Sequence, residues 1–185
     1  MRLFVSVDLP EPVAEDLDDV LDVRREAGAD LRWSAAHQWH VTLAFMGAAP
    51  ERVVEDLVEG VGAAVSRAAP LSLSLSGGGC FPDVTRARVL WAGIEGGEAL
   101  APLARSVRSA CSVVGAAPEG GPFLPHVTLA RVARPLDASR WVRVLDGYRG
   151  PSWTVEDVTV VASHLPRERG HRPRHEVLAR LPLGG

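Results

Sequence analysis

Lysine is absent from this 185-residue chain, and all twenty of its basic residues are arginine. That removes nucleotide binding through a Walker lysine, Schiff-base chemistry and nucleotidyl transfer through a lysine adduct. Cysteine is scarce too. Cys80 and Cys111 stand in unrelated contexts without C-x-x-C spacing, which excludes a disulfide framework and a four-cysteine zinc site and fits a reducing compartment. No apolar run reaches the roughly 20 residues of a membrane span. The opening Met-Arg-Leu-Phe-Val-Ser-Val-Asp-Leu-Pro meets Asp8 too early for a secretory signal. A cytoplasmic protein with no membrane association is therefore expected. The 46% hydrophobic content is enough for one sizeable core, so a single domain over 1–185 is expected.

The net charge of −3 hides a gradient. Residues 1–60 carry five arginines against thirteen acids, residues 61–119 five against four, and residues 120–185 ten against six. The basic C-terminal third admits a polyanionic ligand at that end, while the acidic N-terminal third reads equally well as a solvated helix face.

Periodicity outlines the elements. Leu3, Val5 and Val7 alternate in a first strand ended by Pro10, and Pro12 opens an amphipathic helix through Val13, Leu17 and Leu21. A strand over 39–46 is stopped by Gly47, and a helix runs from Pro50 through Val61. Leu71, Leu73 and Leu75 alternate with serines ahead of a turn at 77–82. The order then repeats: a strand at 88–94, a helix at 99–114, a strand at 126–132, a short helix at 137–145, and strands at 153–162 and 175–181 joined by an arginine-rich loop at 166–173. Interleaved strands and helices in two similar halves predict an α+β fold.

One pentapeptide occurs twice. His-Val-Thr-Leu-Ala fills positions 40–44 and again 126–130. A duplicated strand–helix unit buries its apolar face against its copy, and pseudo-two-fold symmetry then sets equivalent residues face to face. By strand alternation His40 and Thr42 share one side while Val41, Leu43 and Phe45 share the other; His126 and Thr128 pair in the same way. Packing does not require histidine and threonine at the polar positions twice, so these four residues are the candidate site. Two imidazoles near neutral pH supply a general base and a general acid, and two hydroxyls can donate to oxygens on which charge grows. Phosphorus suits such a set, a strained cyclic phosphate above all, and no metal or other cofactor is then required.

The paired His-x-Thr strands, the start Arg-Leu-Phe-Val-Ser-Val-Asp-Leu-Pro, the run Pro-His-Val-Thr-Leu-Ala-Arg and the ending Glu-Val-Leu-Ala-Arg-Leu-Pro-Leu resemble the 2H phosphoesterase superfamily. Within it they are most similar to the bacterial and archaeal RNA 2′,3′-cyclic phosphodiesterases, also called 2′-5′ RNA ligases. The resemblance spans nearly the whole chain. It implies a bilobal duplicated fold, two pseudo-symmetric lobes of antiparallel or mixed sheet with helices outside and a central cleft. It also implies hydrolysis of an RNA 2′,3′-cyclic phosphate end to a 2′-phosphate, and a reversible, ATP-independent 2′-5′ joining of RNA ends that uses the same two histidines. RNA with a cyclic phosphate end is the expected partner; no obligate protein partner is evident.

Carried onto this chain, the resemblance makes His40 and His126 catalytic and Thr42 and Thr128 phosphate-binding. His126 is expected to activate water and His40 to protonate the departing 3′-oxygen, although the near-symmetry leaves the two roles interchangeable. Arg131 and Phe45 are candidate substrate contacts. Both have core parity, so Arg131 must reach the cleft from a strand end or a bulge. The chain departs from the family at Ala44, where a basic residue is usual, and at His175, where an aromatic is common; both are read as standing clear of the acid–base pair.

Other readings remain open. His37 with His40 and His171 with His175 have the spacing of helical zinc ligands, but His40 lies in the best strand and Pro173 interrupts the second pair. A non-catalytic RNA-binding module would use Arg167, Arg169, Arg172 and Arg174 to track phosphates, and a small cyclic nucleotide phosphate could replace RNA. The five tryptophans are read as core rather than as base platforms.

Overall fold

The computed structural model describes residues 1–28, 30–165 and 173–184. In chain order it contains β1 (Arg2–Asp8), α1 (Glu11–Asp22), β2 (Leu31–Trp33), β3 (His40–Met46), α2 (Val54–Val65), β4 (Leu71–Phe81), β5 (Ala87–Glu95), α3 (Leu100–Val113), β6 (His126–Leu136), α4 (Ser139–Asp146), β7 (Arg149–Val155), β8 (Asp157–His164) and β9 (Arg174–Pro182). The helices form where the apolar spacing is helical. Pro12 sits in the first turn of α1, where its missing N–H costs nothing, and Val13, Leu17 and Leu21 bury one stripe. Leu57, Val61 and Val65 do the same for α2, and Leu103, Val107 and Cys111 for α3.

Every strand pairing is antiparallel. The order is β7-β4-β5-β6-β3-β1-β8-β9, with β2 added beside β6. The centre of this sheet is thin: β3 meets β6 through one register pair, Val41 opposite Val127. Two lobes of four main strands each therefore meet at that pair, with the short β2 attached to the second through β6. One lobe takes β1, β3, β8 and β9 from the two ends of the chain, and the other takes β4 to β7 from its middle. The sequence repeat thus marks equivalent strands, although the lobes are not the first and second halves of the chain: one is assembled from its two ends and the other from its middle. Helices cross the seam, since α3 follows β5 of one lobe but packs on β3 of the other, and α1 packs on β7.

Three elements differ from the sequence reading. The glycine run at 77–79 lies inside β4 rather than in a turn. Gly77 takes φ +66° at a break in register between Leu75 and Gly78, a bulge that glycine forms without strain. The strand expected at 153–162 is two strands, divided at Glu156 where the chain passes from one lobe to the other. The short β2 carries no periodic signal and forms because Leu31, Arg32 and Trp33 add to the free edge of β6. Among the described residues no helix is long and apolar enough to cross a membrane.

Candidate active site

The seam fixes which side chains converge. Residues directly opposite in an antiparallel pair share a face and neighbours along a strand alternate. With Val41 opposite Val127, His40, Thr42, His126 and Thr128 all stand on the face opposite to those two valines. The apolar partners are fully withdrawn: Val41, Leu43, Val127 and Leu129 are at most 1% exposed, whereas the four polar residues are only partly buried.

Both histidines are held alike. His40 Nδ1 lies 2.7 Å from the Gln38 carbonyl oxygen and His126 Nδ1 lies 2.7 Å from that of Leu124. A carbonyl only accepts, so each Nδ1 carries the hydrogen and each Nε2 is left to gain or lose a proton. Burial holds both imidazoles below the ordinary histidine value. For His40 the carbonyl of Gln38 works against that fall, the nearby His175 adds to it, Asp8 opposes it and His126 adds to it. For His126 the Leu124 carbonyl opposes the fall and Arg131 adds to it.

A bulge lies at the same place in each copy. In β3 the register passes from Val5 opposite Ala44 to Ser6 opposite Thr42, so Leu43 is the extra residue. In β6 it passes from Leu90 opposite Ala130 to Trp91 opposite Thr128, which makes Leu129 the extra residue. Leu43 and Ala44 are both buried, and so are Leu129 and Ala130. Alternation is thereby reset, and the next residue returns to the histidine face. Phe45 sits opposite Phe4, whose ring stacks on His40 at 4.7 Å and 14°. The core parity expected for Phe45 is thus corrected: it belongs to the cleft face, with the Arg2 guanidinium 5.2 Å from its ring. Arg131 is exposed and opposite Val89, so the bulge returns it to the strand face that carries the histidines.

The two walls beside the seam differ. Next to His126 the wall is aromatic, with the Phe81 ring edge-on at 5.0 Å and the Trp91 ring 6.1 Å away. Trp91 lies over Gly79, where a Cβ would meet ring carbon Cη2 at 2.7 Å. Glycine is needed there to admit the indole. Next to His40 the Phe4 ring is joined by a polar set, Ser6, Asp8, Thr159 and Arg180, linked by hydrogen bonds and an ion pair.

Sequence reasoning missed Phe81, Trp91 and Asp8. The signal for Trp91 was the glycine run opposite it on β4, which reads as a turn. His175 is a second correction. It does not stand clear of the pair, because its ring is edge-on to His40 at 6.0 Å and to Phe4 at 5.1 Å. Trp39, Trp141 and Trp153 are buried in the core, as expected, and Trp33 packs on Trp141 at 5.0 Å.

Of the remaining candidates, His37 is exposed in a short 3₁₀ turn while His40 is in β3. Arg167, Arg169, His171 and Arg172 lie outside the described residues, and Arg174 pairs with Glu176 at 3.6 Å. Among the described residues no three His, Cys, Asp or Glu side chains cluster as metal ligands. Burial pushes the Cys80 and Cys111 thiols up to about 11, so neither is a ready nucleophile.

Known proteins resemble this chain in sequence and in fold. The family model described as the 2′-5′ RNA ligase superfamily matches residues 9–167. A Thermus thermophilus protein named RNA 2′,3′-cyclic phosphodiesterase is 34% identical over 194 aligned positions, covering 100% of this chain and 91% of that protein. An Aquifex aeolicus protein of the same name is 29% identical, covering 98% of this chain and 95% of its own. A Geobacillus stearothermophilus protein of that name is 30% identical over 83% of this chain, which spans about half of it at 48%. Among solved structures, the Thermus thermophilus protein TT0787 superposes with a TM-score of 0.82 at 30% identity, covering 100% and 99% of the two chains. Escherichia coli LigT without ligand gives 0.75 at 29% identity, covering 100% and 98%.

Proposed function

Because this chain belongs to the 2′-5′ RNA ligase superfamily and joins its lobes through paired His-x-Thr strands, we propose that it hydrolyses RNA 2′,3′-cyclic phosphate ends to 2′-phosphates by two-histidine acid–base catalysis. The observation that carries this reading is the pairing of Val41 with Val127, which puts two identically held imidazoles on one face. The names of the relatives agree with it.

The chemistry follows from that geometry. A water oxygen attacks phosphorus while the bond from phosphorus to the 3′-oxygen breaks. His126 Nε2 takes the proton of the water, and His40 Nε2 gives its proton to the departing 3′-oxygen. The products are a 2′-phosphomonoester and a free 3′-hydroxyl, with each histidine exchanged in protonation state. Thr42 and Thr128 donate to the non-bridging oxygens, on which negative charge grows. Arg131, returned to the cleft by its bulge, adds positive charge at the same oxygens or at the next phosphate. Phe45, Phe81 and Trp91 offer flat apolar surface to the bases of an unpaired RNA end. With a 5′-hydroxyl in place of the attacking water, the same displacement joins ends without ATP: His126 takes the hydroxyl proton, the 5′-oxygen bonds to phosphorus, and the 3′-oxygen leaves with the proton of His40, giving a 2′-5′ phosphodiester. The buried thiols of Cys80 and Cys111 fit action in the reducing cytoplasm.

The test is an RNA oligonucleotide ending in a 2′,3′-cyclic phosphate, incubated with the protein in chelator and followed by phosphorus NMR. A 2′-monophosphate is expected. A 3′-monophosphate would reverse the leaving group, and an unchanged cyclic phosphate would overturn the proposal.

A further inference from the structure

The two motif histidines occupy equivalent positions, yet what stands opposite them differs. Asp8 is the register partner of His40, and Gly93 is the register partner of His126. Directly opposed residues share a face with Cβ atoms about 5 Å apart. A carboxylate thus stands beside one imidazole, and a residue without any side chain stands beside the other.

Asp8 is held on both oxygens. Its Oδ1 accepts from Ser6 Oγ at 3.2 Å, and its Oδ2 accepts from Thr159 Oγ1 at 3.0 Å and pairs with Arg180 Nη2 at 3.3 Å. Ser6 and Thr159 are both at 0% exposure, and among the described residues they are the only buried polar side chains. A buried hydroxyl is costly unless it is bonded, and both of these are turned on the same carboxylate. The equivalent positions of the other lobe hold no such set. Ser6 faces Thr42 and Thr159 as Trp91 faces Thr128 and Gly79, so an indole and a glycine replace the two hydroxyls.

We propose that Asp8 is a positioning residue: held by Ser6, Thr159 and Arg180, it favours the imidazolium of His40 over that of His126 and so makes His40 the acid and His126 the base. The inference rests on the two-histidine reading above and supplies the device that breaks its symmetry. The titratable and charged groups facing His40 are Asp8 from β1, His126 from β6 and His175 from β9; of these only Asp8 favours the imidazolium. Arg131 faces His126 and favours the neutral ring. Arg180, also 3.8 Å from Asp157, partly offsets Asp8, which makes the sign of the effect adjustable from either partner.

Imidazole titration by NMR tests this in the wild-type protein, Asp8→Asn and Arg180→Gln. Asparagine keeps the size of the side chain and an acceptor oxygen for one of the two hydroxyls; its amide N–H can donate to the other. The His40 midpoint is expected to fall in Asp8→Asn and to rise in Arg180→Gln, with the His126 midpoint unmoved in both. At pH 8, Asp8→Asn should also lower kcat about tenfold on a normal cyclic phosphate. It should leave kcat unchanged on one whose bridging 3′-atom is sulfur, a leaving group that needs no proton. A His40 midpoint that stands still in both variants, or moves the same way in both, overturns the inference while wild-type turnover persists. Lack of wild-type turnover on either substrate overturns the catalytic reading instead. Should Asp8→Asn fail to fold, the rise expected in Arg180→Gln still decides.

Discussion

Val41 and Val127 face each other as the register pair that joins β3 to β6. A single antiparallel contact between two copies of one pentapeptide creates a local two-fold axis, with polar residues on one side and core on the other. The lobes meet where the motif repeats, so the site is made by the seam itself.

The hydroxyls of Thr42 and Thr128 are expected to matter in the transition state more than in binding. Thr42→Val and Thr128→Val, which keep the branched shape, should each lower kcat about 100-fold with little change in KM. Serine at either position should restore most of the loss. Steady-state kinetics on a cyclic-phosphate oligonucleotide measures both, and a loss confined to KM would contradict the role.

Arg131 lies on the histidine face because Leu129 is the extra residue of a bulge. Arg131→Ala should lower kcat/KM about tenfold on an oligonucleotide and make binding less dependent on salt, by roughly one phosphate contact. An affinity series from 50 to 200 mM salt, about the range over which such contacts weaken, reads the second effect. An unchanged salt slope would place the arginine off the substrate.

The strands carrying the motifs were legible because both features are local: period-two alternation and a repeated run. The bulges were not, since Leu43-Ala44 and Leu129-Ala130 look like any two apolar neighbours until the partner strand shows that both are buried. Phe45 was therefore given the wrong face and Arg131 an unsettled one. Asp8 and His175 were passed over for a related reason. They reach His40 through β1 and through the β1–β8–β9 pairings, and those long-range registers leave no mark in the chain. Residues 166–172 of the arginine-rich loop lie outside the described residues.

Gly79 and Trp91 test the aromatic wall. Gly79→Ala should destabilise the protein by about 1–3 kcal/mol, because the new Cβ collides with the indole. In Trp91→Ala the same substitution should cost much less, so a double-mutant cycle from urea unfolding should give a clear coupling energy. Additive losses would mean the indole does not lie on Gly79.

Burial lowers the folded midpoints of His40, His126 and His175. The unfolded chain then takes up protons below about pH 6.5 that the folded chain does not. Stability is full above that pH and falls as pH drops toward the folded midpoints, by at most about 1.4 kcal/mol per pH unit for each histidine. Urea unfolding from pH 7.5 down to pH 5.5, a window around the roughly 6.5 midpoint of free histidine, should show the decline. In His40→Gln the slope should flatten by about one proton. A stability that rises as pH falls through this window would contradict the lowered midpoints.

Whether His40 and His126 act together on one phosphorus is read out by single-turnover hydrolysis in His40→Ala, His126→Ala and the double variant. Each single substitution is expected to slow cleavage of the cyclic phosphate about 1,000-fold. The double variant should be little slower than either, because acid and base serve the same displacement. Near wild-type cleavage by either folded single variant would contradict a shared two-histidine site.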